Sequence, residues 1–349
     1  MKKKIAILGS TGSIGKTLID IITKDKKNFD VILLSANKNH KEILKQAKIL
    51  NAKNLIINND KSFKQLKKNK FGKIKIFNNY DSLNDILIKK IDYVMCAISG
   101  IQGLEPTVNI IKHTKKIAIA NKESIICGWN IINRELKKNN TQFIPVDSEH
   151  FSLWYGMNSL NKNNIEKIYI TASGGPFYKK PLKNFNKIKV SEALNHPNWK
   201  MGKKISTDSA TMINKIYEVI EAKNIFNINY NKIDILIHPK SYVHAILKFT
   251  NGLTKIIVHD TTMKIPIFNT LFFNSSKKIN SKKIDIASLN NLDLKKINPK
   301  RYPMIKLIKL LPEKQSLFET VIVSANDQLV ELFLEKKISF LDIQRKLFK

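Results

Sequence analysis

The fold is indicated by the stretch IAILGSTGSIGKTLIDIITK, residues 5–24. Its first four residues form an apolar run long enough for a buried parallel strand. Residues 9–15 are rich in glycine, and residues 16–24 are expected to continue as a helix. Strand, glycine turn and helix in this order are the setting of a dinucleotide-binding turn, where backbone N–H groups meet a pyrophosphate. The glycine spacing differs from the common G-x-G-x-x-G, so an ordinary strand–helix turn is the alternative.

Further apolar runs predict the other strands of a parallel sheet, at residues 31–35, 93–98, 116–120 and 142–146. Open α/β sheets bind ligands at the carboxyl ends of their strands. The loops at 99–103 and 121–123 follow two of these strands, although each by itself favours the interpretation as a plain turn. An NAD site has an acid after its second strand, whereas residues 36–39 hold Lys38 and no acid. This favours the 2′-phosphate of NADP.

Length and charge restrict the classes of protein to be considered. A chain of 349 residues is too long for one ordinary core and suggests two or three domains. The net charge of +33 is typical of nucleic-acid-binding proteins. However, arginine, which such sites favour, occurs only at Arg134, Arg301 and Arg345. The lysines are spread along the whole chain, so we interpret them as a solvated surface that also attracts anionic substrates.

Cysteine content and hydropathy predict a cytoplasmic protein. Cys96 lies in an apolar strand-like run and Cys127 is the only other cysteine, so a disulfide is not expected. The basic N-terminus leads into a short strand and lacks the apolar core of a signal peptide. No apolar run approaches the length of a membrane span.

An acidic cluster follows the strand at 142–146. In an extended segment residues two apart point the same way, so Asp147 and Glu149 are expected to share a face. Two hard oxygen ligands suit Mg²⁺ or Mn²⁺, and Glu218 is the candidate third ligand. His150 is expected to be a hydrogen-bonding neighbour. An exposed acidic turn is the alternative.

Residues 195–221 form a second polar cluster, with a loop that carries His196 and Trp199. Residues 206–209 (Ser-Thr-Asp-Ser) are of the types that cap helix N-termini, and they predict a helix from Ala210 to Ala222. On that helix Asn214 and Glu218 lie one turn apart and Lys215 shares the adjoining edge. A capped surface helix is the alternative.

A possible phosphate cradle follows the strand at 168–171. The turn at 172–177 contains Ser173 and two glycines, and its N–H groups could bind a phosphate. A tight turn between strands is equally consistent with these residues.

The rest of the chain carries fewer chemical signals. Residues 233–236, 243–249 and 254–259 predict an antiparallel sheet, with a turn at 251–252, that could form a partner interface. Residues 275–299 are polar and are expected to be a linker. Residues 301–349 are helical in pattern and contain no group of chemically active residues.

Taken together, five motifs resemble those of the 1-deoxy-D-xylulose 5-phosphate reductoisomerase family, in order along the chain. They are Gly-Ser-Thr-Gly-Ser-Ile-Gly at 9–15, Ala-Asn-Lys-Glu at 120–123, Pro-Val-Asp-Ser-Glu-His at 145–150, Ser-Gly-Gly-Pro-Phe at 173–177, and His-Pro-Asn-Trp-x-Met-Gly-x-Lys-Ile-Ser-x-Asp-Ser-Ala-Thr-Met-x-Asn-Lys at 196–215. The resemblance extends to about residue 330. The combination is highly specific, although each motif alone is not.

The resemblance implies an isomerisation and reduction of 1-deoxy-D-xylulose 5-phosphate, with NADPH and a divalent metal, in isoprene biosynthesis. The implied product is 2-C-methyl-D-erythritol 4-phosphate. The metal would be Mg²⁺ or Mn²⁺, with Co²⁺ as a further candidate. The expected enzyme is a cytoplasmic homodimer that binds a phosphorylated sugar and neither nucleic acid nor membrane.

The resemblance also assigns roles to residues of this chain. The implied metal ligands are Asp147, Glu149 and Glu218. The implied catalytic residues are Lys122, Asp147, Glu149, Glu218 and His196. The implied substrate-binding residues are Lys122, Ser148, Glu149, Ser173, His196, Ser209, Asn214, Lys215 and Glu218. The implied cofactor-binding residues are Thr11, Gly12, Ser13, Ile14, Asn37, Lys38, Asn39, Asn121, Glu123 and Gly202, and Trp199 would lie in a mobile loop over the substrate.

The expected architecture is α/β. It comprises an N-terminal Rossmann-like, doubly wound parallel sheet (1–146), a central α+β catalytic and dimerisation domain (147–272), a linker (273–300) and a shortened C-terminal helical domain (301–349). The chain departs from the family pattern at Asn37, Thr171-Ala172, Ile216-Tyr217, Thr261 and Lys264. It also ends some tens of residues early, from which we expect an active enzyme of reduced stability.

Three other functions compete with this interpretation. The first is a metal-free NADP-dependent dehydrogenase of a phosphorylated or amino-acid semialdehyde. The second is a basic nucleic-acid-binding protein, and the third is a degenerate, inactive relative of the reductoisomerases. Dependence of turnover on Asp147 separates the first from a metal-dependent reductoisomerase, and steep salt-dependent DNA binding would identify the second.

Overall fold

The computed structural model describes residues 1–68, 71–158, 164–273, 275–314 and 316–349. The strands are β1 (Lys3–Leu8), β2 (Phe29–Ala36), β3 (Asn54–Ile57), β4 (Lys75–Phe77), β5 (Tyr93–Cys96), β6 (Lys116–Ile119), β7 (Gln142–Pro145), β8 (Ile165–Ala172), β9 (Ile233–Ile237), β10 (Val243–Phe249), β11 (Thr254–Val258) and β12 (Lys295–Lys296). The helices are α1 (Ser13–Thr23), α2 (His40–Leu50), α3 (Asp60–Lys67), α4 (Leu83–Ile86), α5 (Leu104–Ile111), α6 (Lys122–Lys138), α7 (Ser148–Met157), α8 (Val190–Leu194), α9 (Lys203–Thr211), α10 (Ile213–Phe226), α11 (Lys264–Phe272), α12 (Ile286–Asn290), α13 (Phe318–Leu334) and α14 (Phe340–Leu347).

These elements form two compact units. The first comprises Met1–Asp147 and Met263–Ile279, and the second comprises Ser148–Thr262 and Asn280–Lys349. Helix α11, which the sequence division assigned to the central domain, groups with the first unit. The division into four parts stays a prediction. Among the described residues, none of the helices has the length and apolarity that a bilayer crossing requires.

The first unit is built on a seven-stranded sheet with the order β4-β3-β2-β1-β5-β6-β7. All neighbouring strands in it are parallel. The order reverses direction between β1 and β5, and this switch point is where such sheets form a ligand crevice at their carboxyl edge. The predicted doubly wound parallel sheet is therefore confirmed.

Helix α1 packs on this sheet because its apolar residues recur at helical spacing. Leu18, Ile19, Ile21 and Ile22 are buried among the apolar side chains of β1 and β2. Helix α11 lies next to α1, and Thr270 on it hydrogen-bonds with Tyr93 of β5 at 2.7 Å. The burial of such apolar side chains contributes about 1.5–3 kcal/mol for each large residue.

The second unit contains a five-stranded sheet with the order β11-β10-β8-β9-β12. The sequence predicted an antiparallel sheet of β9, β10 and β11, and for β9 this is wrong, because β8 lies between β9 and β10 and runs parallel to β9. Helices α8, α9 and α10 lie between β8 and β9 in the chain, and a connection that contains helices allows the parallel arrangement. The antiparallel pairing of β10 with β11 is as predicted.

The C-terminal helices belong to the same unit. Phe333 and Phe340, from α13 and α14, lie in an aromatic cluster with Phe177 and Phe185, with ring centroids 5.2–6.3 Å apart. The segment predicted as a linker contains the short elements α12 and β12. The helical pattern of residues 301–349 is confirmed for the described part of that segment.

Two local predictions are wrong and concern the site directly. Residues 206–209 do not start a helix, because α9 already begins after Gly202, and the helix breaks at Met212, which has φ +71°. The residues from Ser148 onward are helical and not extended. Glu149 therefore lies in the first turn of α7, and alternation along a strand does not describe its position relative to Asp147.

Candidate active site

The glycine turn after β1 brings the chain close to the end of β5. Gly9 has φ +80°, and a Cβ on it would lie 2.5 Å from the carbonyl oxygen of Ala97, so only glycine fits there. Thr11 and Gly12 complete the turn, and Ser13 and Ile14 open α1. Four of the expected cofactor-binding residues thus lie at the N-terminus of a helix, where N–H groups and the helix dipole favour an anion.

The loops after β2, β5 and β6 meet the same edge of the sheet. In the loop after β2, the Asn39 side chain accepts a hydrogen bond from Glu42 N and so caps α2. The carbonyl oxygen of Lys38 accepts one from Ser62 Oγ at 2.9 Å, which fixes the backbone at this position.

Asn121 ties the β6 turn to the β5 turn. Its side chain caps α6 by accepting from Ser124 N and donates to the carbonyl oxygens of Ile98 and Gly100. Glu123, also expected at the cofactor, is buried in the first turn of α6.

Lys122 and Asp147 form an ion pair within the first unit. Lys122 opens α6, Asp147 follows β7, and their charged atoms are 2.8 Å apart. Both side chains are largely buried, so water screens this pair less than a surface pair. The implied catalytic lysine is therefore held beside the implied metal ligand that ends this unit.

In the second unit, Lys215 joins the two other implied metal ligands. Its ammonium lies 2.8 Å from Glu149 Oε1 and also binds Glu218 Oε2 and the carbonyl oxygen of Thr171. Carboxylate oxygens of Glu149 and Glu218 lie within 4.8 Å of one another. Asn214 donates to the second oxygen of Glu218. Ser148 donates to Glu149.

The electrostatics of this cluster favour the charged forms of Glu149 and Lys215. Burial alone would raise the pKa of Glu149, but Lys215 and further polar neighbours outweigh burial and hold it well below the ordinary value. Burial likewise acts to lower the pKa of Lys215, and the two glutamates more than offset that effect, so its pKa is raised. Two carboxylates face one ammonium, and the cluster retains a formal negative charge.

His150 contacts the backbone of Glu218 and so helps to position its side chain. It is fully buried, and its Nε2 lies 2.9 Å from the backbone carbonyl oxygen of Glu218. Its Nδ1 lies 3.4 Å from Glu221 Oε2, and its ring stacks on Phe226. These contacts orient α10 relative to α7, and hence Glu218 relative to Glu149.

A second polar group is formed by Ser173 and His196. The Nδ1 atom of His196 accepts hydrogen bonds from the backbone N–H groups of Asn198 and Trp199 at 3.2 and 3.1 Å. In the neutral ring Nε2 must then carry the proton, which it donates to Ser173 Oγ at 3.0 Å. Burial lowers the pKa of His196 to about 4 and so keeps it neutral.

The hydrogen bond from His196 leaves the Ser173 hydroxyl available as a hydrogen-bond donor. Its oxygen accepts from His196 Nε2 and from Gly175 N, each at 3.0 Å. Since both of its lone pairs are engaged, its hydroxyl hydrogen can point to a further acceptor.

The turn that carries Ser173 packs directly against α9, which carries Ser209. A Cβ on Gly175 would lie 2.9 Å from the carbonyl oxygen of Ser209, and Gly175 has φ +67°. Only glycine allows this approach. The two serines expected to bind phosphate therefore come from adjacent pieces of backbone. Gly202, the implied cofactor residue of this unit, is the N-cap of α9.

The loop with Trp199 is anchored on the segment before β10. Asn198 donates to the carbonyl oxygen of Pro239 at 2.6 Å and to Ser241 Oγ at 2.8 Å. The Trp199 ring meets His244 edge to face at 6.3 Å, and His244 stacks on His259 at 3.6 Å. Burial, with His259 nearby, lowers the pKa of His244 to about 3, so Trp199 contacts a neutral ring.

Three family models match this chain. The model for 1-deoxy-D-xylulose 5-phosphate reductoisomerase matches residues 5–128, and the model for the C-terminal domain of that enzyme matches residues 143–226. A further model, for the DXP reductoisomerase C-terminal domain, matches residues 259–349. A 1-deoxy-D-xylulose 5-phosphate reductoisomerase from Pelagibacter ubique (strain HTCC1062) is 61% identical, over 99% of this chain and 90% of its own length.

The chain belongs to the 1-deoxy-D-xylulose 5-phosphate reductoisomerase family. A reductoisomerase from Wolbachia pipientis wMel is 40% identical over 98% of this chain and 88% of the relative. The Zymomonas mobilis reductoisomerase in complex with NADPH has a TM-score of 0.90 at 32% identity, covering 99% of this chain and 90% of that chain. A DOX-P reductoisomerase in complex with NADPH, fosmidomycin and magnesium has a TM-score of 0.89 at 29% identity, covering 99% and 88%.

Membership of the reductoisomerase family confirms the enzyme class inferred from the motifs, an NADP-dependent oxidoreductase. The family assignment therefore replaces the two alternative interpretations, a metal-free dehydrogenase and a nucleic-acid-binding protein. The roles assigned to individual residues stay predictions.

Three residues that contact site residues or their immediate neighbours, namely His244, Tyr302 and Asn326, were missed by sequence reasoning. His244 could have been noticed as a buried-position histidine among the apolar residues of β10, whose only other charged or polar residue is Lys248. Tyr302 and Asn326 gave no signal, because their partners lie 128 and 118 residues away in the sequence.

Proposed function

We propose that this chain converts 1-deoxy-D-xylulose 5-phosphate into 2-C-methyl-D-erythritol 4-phosphate, in the non-mevalonate isoprenoid pathway. The reaction is an isomerisation followed by a reduction, and it uses NADPH and a divalent cation. The observation that carries the proposal is the convergence of Glu149 and Glu218 on Lys215 within a chain of the reductoisomerase family.

Asp147, Glu149 and Glu218 are proposed to hold the metal, with Mg²⁺ as the cation and Mn²⁺ or Co²⁺ as alternatives. The buried cluster around Lys215 has two carboxylates and one ammonium, and this excess of negative charge suits a dication. Asp147 precedes Glu149 by two residues, so at most about 7 Å of chain separates their Cα atoms. When bound, the metal polarises the ketone of the substrate for cleavage and rejoining of a carbon–carbon bond.

Four side chains are proposed to bind the substrate phosphate, namely those of Ser173, Ser209, Asn214 and Lys215. Ser173 has its hydroxyl hydrogen available, as the tautomer of His196 requires. Lys215 contributes a positive charge, and a hydrogen bond from its ammonium to the phosphate would replace one of its three contacts with Glu149, Glu218 and the carbonyl oxygen of Thr171. Hydrogen bonds from charged donors to phosphate are about twice as strong as neutral ones. Ser148 and His196 complete the proposed substrate contacts.

The first unit is proposed to hold NADPH at the carboxyl edge of its parallel sheet. The N-terminus of α1 receives the pyrophosphate, Lys38 lies where the 2′-phosphate is expected, and Asn121 and Glu123 come from the next turn along the sheet. When bound, NADPH supplies the hydride that reduces the aldehyde formed by the isomerisation. Lys122, paired with Asp147, is proposed to bind the substrate beside the metal.

The Trp199 loop is proposed to close over the substrate. Its anchors are the paired hydrogen bonds to His196 Nδ1 and the contacts of Asn198 with the segment before β10. A closed loop excludes water, which strengthens the electrostatic contacts to the substrate.

A homodimer through the edge strand β11 is proposed. Strand β11 ends the five-stranded sheet, and Leu253 and Ile256 expose apolar side chains there. Light scattering of the purified protein tests this directly, since a monomer at micromolar concentration would contradict it. We also propose a cytoplasmic location, supported by the absence of a disulfide between Cys96 and Cys127 among the described residues. Burial raises the pKa of the Cys96 thiol to about 12.

The deciding experiment is an assay of NADPH oxidation with deoxyxylulose phosphate, with Mg²⁺ and with EDTA. We expect turnover only with the metal. Glu218→Gln should abolish turnover while leaving NADPH binding intact, because it removes a metal ligand and no proposed cofactor contact. Glu166→Gln, an exposed acid of the same unit that pairs with Lys248, is the matched control and should keep full activity. Absence of turnover in the unmodified protein with Mg²⁺ or Mn²⁺ would refute the proposal.

A further inference from the structure

The position of Ser173 relative to Ser209 is not determined by the turn and the helix that carry these two proposed phosphate-binding serines. The turn with Ser173 passes through Gly174 and Gly175, both with positive φ, which are the least restricted residues of the chain. Helix α9, with Ser209, is separated from α10 by Met212 in the left-handed region. The relative position of these two serines therefore depends on contacts from elsewhere in the second unit.

Tyr302 provides such a contact to the turn. Its side chain is 2% exposed, and its hydroxyl donates to the carbonyl oxygen of Gly174 at 2.8 Å. The preceding residue, Arg301, donates to the carbonyl oxygens of Phe177 and Lys180 at 2.8 and 2.7 Å. The segment before the C-terminal helices thus holds the turn and the residues that follow it.

Helix α13 provides the matching contact to α9. Asn326 is fully buried and donates to Asp208 Oδ1 at 2.8 Å, directly beside Ser209 in the sequence. The next residue, Asp327, lies 3.0 Å from Lys204, and Lys204 lies 3.0 Å from the other oxygen of Asp208. Two consecutive residues of α13 therefore hold two residues that are one turn apart on α9.

We propose that Tyr302 and Asn326 are positioning residues for the substrate phosphate, acting through Gly174 and Asp208. This inference rests on the proposed function, since it takes Ser173 and Ser209 as phosphate ligands. It assigns a role to residues 301–349, a region in which the sequence showed no chemistry. In this proposal residues 301–349 set the distance between Ser173 and Ser209 without contacting the substrate.

Tyr302→Phe is the first test, because it removes one hydroxyl and keeps the ring. A neutral hydrogen bond contributes about 0.5–1.5 kcal/mol, so we expect KM for deoxyxylulose phosphate to rise by about 2- to 13-fold. The kcat and the Kd for NADPH should change by less than about 2-fold, because the change is confined to phosphate binding. Tyr230→Phe is the matched control, since among the described residues the buried hydroxyl of Tyr230 has no hydrogen-bond partner. It should leave KM unchanged.

Asn326→Asp is the second test, because it places a carboxylate against Asp208. We expect KM to rise by at least about 10-fold, as for loss of a hydrogen bond to a charged group. The double variant Asp208→Asn/Asn326→Asp restores one donor and one acceptor, and KM should return to within about 3-fold of the unmodified value if the pair acts by positioning. Calorimetric binding of inorganic phosphate gives a second readout that does not need turnover, and it should weaken in parallel with KM.

The outcomes separate the two proposals. Wild-type KM and phosphate affinity in both Tyr302→Phe and Asn326→Asp would overturn the positioning role alone. An equal loss of kcat, substrate affinity and NADPH affinity, or a matching loss in Tyr230→Phe, would also overturn it, because general unfolding would then explain the data. Lack of turnover in the unmodified protein would refute the proposed function, while phosphate binding would still decide the positioning role.

Discussion

The ammonium of Lys215 lies 2.8 Å from Glu149 Oε1 and also binds Glu218, three residues further along α10. The side chains of Lys215 and Glu218 are 5% and 2% exposed and that of Glu149 is 14% exposed, and their contacts join α7 to α10. A single lysine thereby holds two carboxylates close together and lowers the pKa of Glu149. This cluster stabilises the packing of α7 against α10 and also contains two of the candidate metal ligands.

Removal of the Lys215 charge should destabilise the protein. In Lys215→Met two buried carboxylates face each other without a cation, and breaking a buried pair costs about 3 kcal/mol or more. The free energy of unfolding, measured by urea denaturation with EDTA present, should fall by that amount. Added Mg²⁺ should recover part of the loss, because binding to the folded state alone stabilises it.

The matched control for this change is Lys248→Met, which removes an exposed lysine paired with Glu166. Surface pairs are screened by water, so no measurable loss is expected. Equal stability of Lys215→Met and Lys248→Met would show that the buried cluster is not the charge-balanced unit described here.

Stability should depend on pH through His196. Its pKa is lowered by burial to about 4, against an ordinary value of 6.5. The unfolded state therefore binds more protons than the folded state between these values, and stability falls as pH drops from about 6.5 towards 4. Above about 6.5 this contribution is constant.

Two substitutions of similar size test the contribution of His196 to the pH dependence of stability. His196→Asn and His196→Gln cannot titrate, so the melting temperature of either variant should vary less with pH over that range. Unchanged pH dependence in both variants would assign the acid sensitivity to another group, such as His244, whose pKa is also lowered by burial.

Ser173→Ala should weaken substrate binding and spare the cofactor. The change removes a hydroxyl that remains available as a donor, because its oxygen already accepts from His196 and Gly175. A hydrogen bond to a charged group contributes about 1.5–3 kcal/mol. We expect KM for deoxyxylulose phosphate to rise by roughly 10- to 100-fold. Steady-state kinetics with separate titration of NADPH check this. Ser288→Ala, on the exposed helix α12, should match the unmodified enzyme, and a similar loss in both variants would rule out a specific role for Ser173.

Lys38 should determine the preference for NADPH over NADH. Its backbone is held by Ser62, so its replacement alters the side chain without moving the loop. Lys38→Ala should lower the ratio of kcat/KM for the two cofactors by about 10-fold, as expected for loss of one charge-assisted contact to a phosphate. Lys41→Ala, in the first turn of α2, is the control. A ratio that is unchanged in Lys38→Ala would place the 2′-phosphate elsewhere.

Local sequence patterns predicted the first unit well. The apolar run of β1, the glycine turn and the apolar stripe of α1 agree with one another, because each of them depends only on residues that are close together in the chain. Prediction failed where a tertiary contact overrode a local signal. Residues 206–209 have the side chains of a helix start, yet they lie inside α9, because that helix is held in place by α13 and by the turn at Gly175.

In the candidate site, too, local sequence predicts some features and only tertiary packing determines others. The spacing of Asn214, Lys215 and Glu218 is enough to place them on a common edge of a helix, because helical periodicity is a local property. Their meeting with Glu149, 66 residues earlier than Lys215, required the packing of α7 against α10. Sequence could propose that pair from its chemistry, but no local rule determines the distance.

By itself, the sequence determined the parallel sheet, the glycine turn and the set of polar residues available for chemistry, since strand, turn and helix preferences act over a few residues. The tertiary structure alone decided which of those residues meet. It placed Lys215 between two glutamates, set the proton of His196 on Nε2, and brought Tyr302 and Asn326 to the phosphate turn and to α9. Those contacts join residues far apart in the chain, and they form only when burial of apolar surface brings whole elements together.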